Sequence, residues 1–282
     1  IPAVVEAIKK TKRQLGSNVG GINLMNKERC LSMLLDYPLD KIKNALPLSD
    51  YEIESNAKKL KLTPWLVVGM LYGEKTVTKA AKKTIKENFK HISKRSFFYN
   101  SSIHKYLPQI GKFLATYGFK EVPKISRMLS EAYDVLRGTP NNIALRLAYW
   151  KHEDKSLLLQ DNLNPNRDKC GLIWYAPLVE MKSSEVTRYI SFVRDAAKKY
   201  NINPLITLTT IDDLCFDSTV PIIFNLQNEQ DKNNAREYYH YLLREGAKLG
   251  YFPYRLSIES QKEFNIQPSL TTIEPVNKER YK

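Results

Sequence analysis

Gly171-Leu172-Ile173-Trp174-Tyr175-Ala176-Pro177 decides how this chain is read. A glycine opens the run, aliphatic and aromatic residues that favour strands fill it, and a proline that cannot donate to a ladder ends it. Working outward, Ser183-Ser184-Glu185 opens a helix predicted to reach about Tyr200. Strands are predicted over 205–210 and 219–226, a helix over 231–249, and a last strand over 254–258. That strand follows the turn Gly250-Tyr251-Phe252-Pro253 and begins with the pair Tyr254-Arg255.

The same order is predicted upstream. Trp65-Leu66-Val67-Val68-Gly69-Met70-Leu71-Tyr72 is a continuous apolar run closed by Gly73 and reads as a strand. An amphipathic helix over 76–89 follows, with 96–99 as the returning strand. Before it, Pro2 suits the first turn of a helix over 2–15, whose Val5, Ile8 and Leu15 form an apolar stripe. Gly20-Gly21 breaks the pattern, and Ser49 with Glu52 forms a capping box for a helix reaching about Leu60. The repetition predicts an α+β fold, a mainly antiparallel sheet flanked by helices in ferredoxin-like repeated units. That sheet should contain 65–72, 171–179, 205–210, 219–226 and 254–258. Residues 105–160 read as helical and loop-rich. The polar loop 160–168 is the expected hinge between possible halves 1–160 and 170–282.

The 282 residues suffice for a sizeable core, and 43% hydrophobic residues with 11% aromatic is ordinary globular composition. No apolar run approaches the roughly 18 residues that cross a bilayer, so no membrane partner is expected. The first residues lack the pattern of a signal peptide; without an initial Met, the chain is expected to be a processed or truncated piece. Cys30, Cys170 and Cys215 have no paired spacing, which fits free thiols in a reducing, cytoplasmic setting. The net charge of +14 permits an anionic partner. Lysine supplies most of it, including the face formed by Lys79, Lys82, Lys83, Lys86 and Lys90, which reads as solvated. With no aromatic–basic signature on the strands, nucleic acid is not an expected partner.

No glycine-rich phosphate loop of either common type is present, so nothing in the chain is expected to cradle a nucleotide pyrophosphate. His91, His104, His152 and His240 stand apart, and no metal is expected. Asp212, Asp213 and Asp217 read as a carboxylate-lined turn between strands. Ser49, Ser183 and Ser184 read as helix caps.

Taken in order, Leu35-Asp36-Tyr37-Pro38, the capped segment 47–52, Trp65, Leu71-Tyr72-Gly73, Gly138-Thr139-Pro140, Tyr149-Trp150, 171–177 and Tyr254-Arg255 cover most of the chain. Together they resemble the substrate-side cap domain of the vanillyl-alcohol oxidase and 4-cresol dehydrogenase flavoproteins. The resemblance implies a cap that covers the FAD held by a separate domain, absent from this chain. It implies oxidation of para-substituted phenols by hydride transfer from a bound phenolate to the flavin. Tyr254 and Arg255 match the pair that binds the phenolate oxygen and are the implied catalytic residues, with Trp174 and Tyr175 beside them as substrate-binding residues. A guanidinium and a hydroxyl donor favour the ionised phenol.

The family's acid–base carboxylate lies in the missing half, so it has no counterpart to name here. Some members attach FAD to a cap histidine; Leu214-Cys215-Phe216-Asp217-Ser218-Thr219 offers none. A tyrosyl link has no assigned position. The isolated chain is expected to bind no FAD and to be inactive without its FAD-binding domain. A cytochrome electron acceptor and a homodimer stay open as partners. The other reading is a non-catalytic basic binding module derived from the same fold.

Overall fold

The computed structural model describes residues 1–93, 96–116, 122–160 and 162–264. Helix α1 (Pro2–Leu15) leads into strand β1 (Val19–Asn26), then α2 (Lys27–Leu34), α3 (Leu39–Lys43), α4 (Asp50–Lys59), β2 (Trp65–Leu71) and α5 (Lys75–Phe89). Helices α6 (Ser101–Thr116) and α7 (Val122–Leu136) pack on one another. Then come β3 (Cys170–Tyr175), β4 (Leu178–Glu180), α8 (Ser183–Lys199), β5 (Thr207–Thr210), β6 (Cys215–Asn225), α9 (Glu229–Lys248) and α10 (Ile258–Phe264).

One six-stranded sheet runs β2-β1-β5-β6-β3, with β4 also on β6, and every pairing is antiparallel. Strands β3 and β4 lie end to end along β6, opposite 220–225 and 215–217. Beyond β4, Pro253 bridges Pro177, Leu178 N donates to Phe252 O, and Tyr254 N donates to Ala176 O. Residues 252–254 thus border β4, giving the lateral order 252–254, β3–β4, β6, β5. This is a ferredoxin-like βαββαβ arrangement, and β1 and β2 extend its β5 edge. The α+β class with a mainly antiparallel sheet is as expected.

Three expectations need correction. The central strand β1 covers the glycines read as a break. Gly20 lies where the β1–β2 register shifts, and a Cβ there would come within 2.8 Å of the Tyr72 ring. Glycine permits that approach at an irregular ladder, while Val19, Ile22 and Leu24 face the core. Second, 254–258 is no strand. Prolines at both bridge positions leave little ladder to form, and Ser257 Oγ accepts from Ser260 N at 3.2 Å to start α10 instead. Third, 96–99 is no strand: Phe98 lies beneath the Lys82 and Lys86 ammoniums, and Tyr99 packs edge-on against Tyr133. The upstream half of the repeat is therefore incomplete.

Helices α1, α8 and α9 cover one face of the sheet. Val5 and Ile8 from α1, Val193 from α8, Leu242 from α9, and Leu24, Phe216 and Ile222 from the strands meet there in the main core. Each such side chain contributes about 1.5–3 kcal/mol when fully buried. Among the described residues, the cover on the other face is at one end, where Tyr37, Ile42, Leu147, Trp150 and Leu205 close over Ile223. Trp150 fixes that cover, donating from Nε1 to Leu35 O at 2.9 Å and meeting Tyr37 edge-on at 4.7 Å. No described helix is long and apolar enough to cross a membrane.

Candidate functional site

Side chains alternate across a strand, so the pairings fix which residues look away from the helices. Trp174 is opposite Pro221, and Tyr175 is opposite Val220. Val220 belongs to the helix-side core, so Tyr175 faces the helices and Trp174 the open side. The burial agrees: Tyr175 is 0% exposed and Trp174 is 42% exposed. Tyr175 sits among Tyr189, Tyr238 and Tyr251 and donates to Tyr251 O at 3.4 Å. Burial pushes its phenol well above the usual range. Of the two neighbouring aromatics expected at a substrate, Tyr175 is thus placed in the core and only Trp174 reaches the open face.

The same alternation brings Asn23 and Met25 of β1, Leu66 and Val68 of β2, Thr207 and Thr209 of β5, and Leu178 of β4 to the open face. Leu66, Val68 and Leu178 are each half-exposed there. Thr209 Oγ1 donates to Asn23 Oδ1 at 2.7 Å, which ties the polar middle of the face together. The exposed apolar side chains thus lie toward the two sides of this face, with a polar centre between them.

Tyr254 and Arg255 border this face. Tyr254 lies opposite Ala176 at the sheet edge and is half-exposed. The Arg255 guanidinium stands 5.2 Å from the centre of the Tyr254 ring, a cation–π distance. Among the described residues Arg255 makes no ion pair within 4.0 Å. The carboxylate that does feel both side chains is Asp217, on β6 opposite Leu178 and Thr209. Burial pushes the Asp217 carboxyl above the usual carboxylate range, and the Arg255 charge and the Tyr254 hydroxyl only partly oppose it. Asp217 Oδ1 is buried, with no hydrogen-bond partner among the described residues.

Asp217 is the residue that sequence reading missed. It was grouped with Asp212 and Asp213 in a turn, and the structure separates them. Asp212 Oδ1 accepts from Leu214 N at 2.7 Å and Cys215 N at 2.9 Å, the work of a turn carboxylate. Asp213 pairs with Arg13 at 2.5 Å. Asp217 is within the strand, and a strand of regular alternation from Phe216 was the only available signal. Among the described residues no cluster of His, Cys, Asp or Glu could hold a metal ion. All three cysteines are free, and burial pushes Cys30 and Cys170 up to about 11, where thiols are poor nucleophiles at neutral pH. The lysine face of α5 borders a shallow depression distant in sequence from these groups.

No family model matches the chain. It is 24% identical over 265 residues to 1'-carboxy-chondrochloren decarboxylase from Chondromyces crocatus, covering 93% of this chain and 47% of that protein. Its fold is similar to 4-ethylphenol oxidase from Gulosibacter chungangensis, solved with isoeugenol, at TM-score 0.69 and 16% identity over 90% of this chain. It is also similar to p-cresol methylhydroxylase solved with substrate, at TM-score 0.67 and 17% identity over 93% of this chain. The chain spans 42% and 44% of those structures, so it corresponds to less than half of each. The likeness to the solved structures is one of fold, and it agrees with the cap-domain resemblance read from the sequence.

Proposed function

We propose that this chain is the substrate-side half of a flavin-dependent oxidoreductase that acts on para-substituted phenols. The observation that carries the reading is the open sheet face bordered by Tyr254 and Arg255. It lies in a fold shared with parts of two proteins whose names specify phenol substrates. Bound FAD would supply the acceptor for the substrate's hydride. The half-exposed apolar residues and the Asn23–Thr209 centre suit a flat ring system laid against the sheet. The chain's glycines do not form a phosphate-cradling turn, so the FAD pyrophosphate is assigned to a separate domain.

In this reading Arg255 holds the phenolate oxygen by charge and Tyr254 by a hydrogen bond, which lowers the substrate's pKa. The ionised oxygen then pushes electrons toward the para carbon as hydride leaves. Trp174 flanks the bound ring on the same face. Arg255→Ala should cost about 3 kcal/mol of transition-state stabilisation, on the order of 10²-fold in kcat/KM, typical of losing one preorganised electrostatic donor. Arg255→Lys should recover part of that loss, because an ammonium keeps the charge without the planar fork. Steady-state turnover of a para-alkylphenol by the parent enzyme, with its FAD-binding domain present, is the assay, and an unchanged kcat/KM in Arg255→Ala rejects the reading.

The decarboxylase relative supports a second reading, in which the substrate carries a carboxyl group that is lost as carbon dioxide. Arg255 would then hold a carboxylate. Carbon dioxide release from a carboxylated phenol, set beside turnover of the para-alkylphenol, separates the two.

A further inference from the structure

We propose that the outer face of α5, with Phe97 at its border, docks on an anionic lipid bilayer. This face is on the helix side of the sheet, away from the open face that Tyr254 and Arg255 border, so the proposal is independent of the phenol reading. A peripheral contact needs no membrane-spanning segment, and here it departs from the expectation of no membrane partner.

The inner side of α5 is fixed by packing. Ala81 and Phe89 are buried, Phe89 in the main core, and Asn88 Nδ2 donates to Thr11 Oγ1 at 3.1 Å and Gln14 Oε1 at 2.8 Å on α1. Helical spacing then turns Lys79, Lys83, Lys86 and Lys90 outward, and all four are exposed. With Lys82 and Glu87 they line a shallow depression. Glu87 pairs with Lys83 at 4.0 Å between exposed side chains. Among the described residues, Lys79, Lys82, Lys86 and Lys90 make no ion pair within 4.0 Å. The face is therefore a basic surface whose counter-charge comes from outside the chain.

Two further observations choose the partner. From Lys79 to Lys90 the charges extend along about 16 Å of helix, too far for one small anion to meet them all and suited to a surface that carries many. The segment after α5 then sets two aromatic rings beside the lysines. Phe98 lies beneath the Lys82 and Lys86 ammoniums, 5.5 and 5.7 Å from its ring centre, which holds the segment against the helix. Phe97 next to it is 70% exposed. A bilayer surface matches both features: the ammoniums meet anionic headgroups, and the exposed ring enters the boundary with the acyl chains. A nucleic-acid strand matches less well, because it stacks on several free rings and Phe98 is already occupied by two ammoniums.

Vesicle flotation of the purified full protein tests this. The vesicles are phosphatidylcholine alone, and phosphatidylcholine mixed three to one with phosphatidylserine. The wild type should float with the anionic vesicles only, and less as salt rises. Each lysine near such a surface is worth about fivefold in partitioning, so Lys79→Gln, Lys83→Gln and Lys90→Gln together should weaken it about 10²-fold. Lys58→Gln, Lys59→Gln and Lys61→Gln, at exposed positions around the end of α4, remove the same charge and should leave binding within about twofold of wild type. Phe97→Ala should weaken binding about tenfold, the worth of one apolar side chain entering the interface, with the salt dependence kept. The substituted side chains are exposed, so the fold is retained in each variant. No flotation with the anionic vesicles overturns the proposal. An equal loss in the two triple variants also overturns it, because the attraction is then one of net charge alone. Unchanged flotation of Phe97→Ala, with a single-stranded oligonucleotide held more tightly through Lys79, Lys83 and Lys90, assigns the face to nucleic acid and overturns the bilayer.

Discussion

Lys151→Met should destabilise the fold by about 3 kcal/mol, near the lower end of the range of about 3–5 kcal/mol for breaking one side of a buried ion pair. Lys151 and Asp231 are 3% and 0% exposed. The ammonium donates to both Asp231 oxygens, at 2.9 and 3.2 Å, and stands 5.3 Å from the Tyr37 ring centre. Removing it leaves a carboxylate with no cation in a dry site. Two features soften the loss. Asn225 N still donates to Asp231 Oδ2 at 2.8 Å, and Asp231 lies in the first turn of α9, where the helix dipole favours negative charge. Methionine keeps the length and apolar stem of lysine, so packing loss is small. Urea unfolding should show the midpoint falling by roughly 1 M if the slope is about 3 kcal/mol/M. Adding Asp231→Asn to Lys151→Met should restore part of the loss, because the buried charge disappears and the Asn225 contact can persist. A loss below about 1 kcal/mol in Lys151→Met would show that the pair is solvated and contributes like a surface ion pair.

Gly246→Ala should destabilise α9 even though alanine favours helix by about 1 kcal/mol, because its Cβ would meet the Tyr175 oxygen at 2.3 Å; chemical denaturation is the check, and Tyr175→Phe in the same chain should relieve part of the clash. Ser49→Ala removes one side of the capping box on α4 and should cost about 1 kcal/mol by thermal or urea unfolding. For Asp217 the sign follows from burial, which raises its folded-state pKa above the unfolded value near 3.9. Below that value both states are protonated and no penalty exists; as pH rises through the raised value the native state must ionise a group it holds neutral, and stability is lost. Asp217→Asn should therefore gain stability relative to wild type as pH rises from about 4 toward neutrality, and a difference that stays flat with pH contradicts the assignment.

The elements legible in the sequence were those with a strong local signal. The Ser49–Glu52 box appears as read, with Ser49 N donating to Glu52 Oε2 at 2.8 Å. Strand β2 and helices α1, α5, α8 and α9 follow from apolar runs or helical spacing. What failed was decided by distant partners. Strand β1 is ambiguous alone, since Val19-Gly20-Gly21-Ile22 carries both turn and strand signals. Pairing with β2 on one side and β5 on the other settles it. The Lys151–Asp231 pair was invisible for the same reason, because each residue looks like an ordinary surface charge until the fold sets the segment after Trp150 against the first turn of α9.

The site shows why composition alone could not separate function from packing. Trp174 and Tyr175 are neighbours of similar character, and either could have faced a substrate. Register decides between them: with Trp174 opposite Pro221, the indole points to the open side and the phenol enters the tyrosine cluster under α8 and α9. A slip of one residue along β6 would exchange the two and bury Trp174 instead. That same register, continued through β4, puts Leu178 opposite Asp217 and so brings the carboxylate to the face that Tyr254 borders. The pair Tyr254-Arg255 was visible because its residues are adjacent in sequence, whereas the acid beside it depends on three strands and an edge segment being correctly aligned. A carboxylate placed this way draws its chemical character from the fold. Burial in the sheet raises its carboxyl above the usual carboxylate range, and the Arg255 charge only partly opposes that.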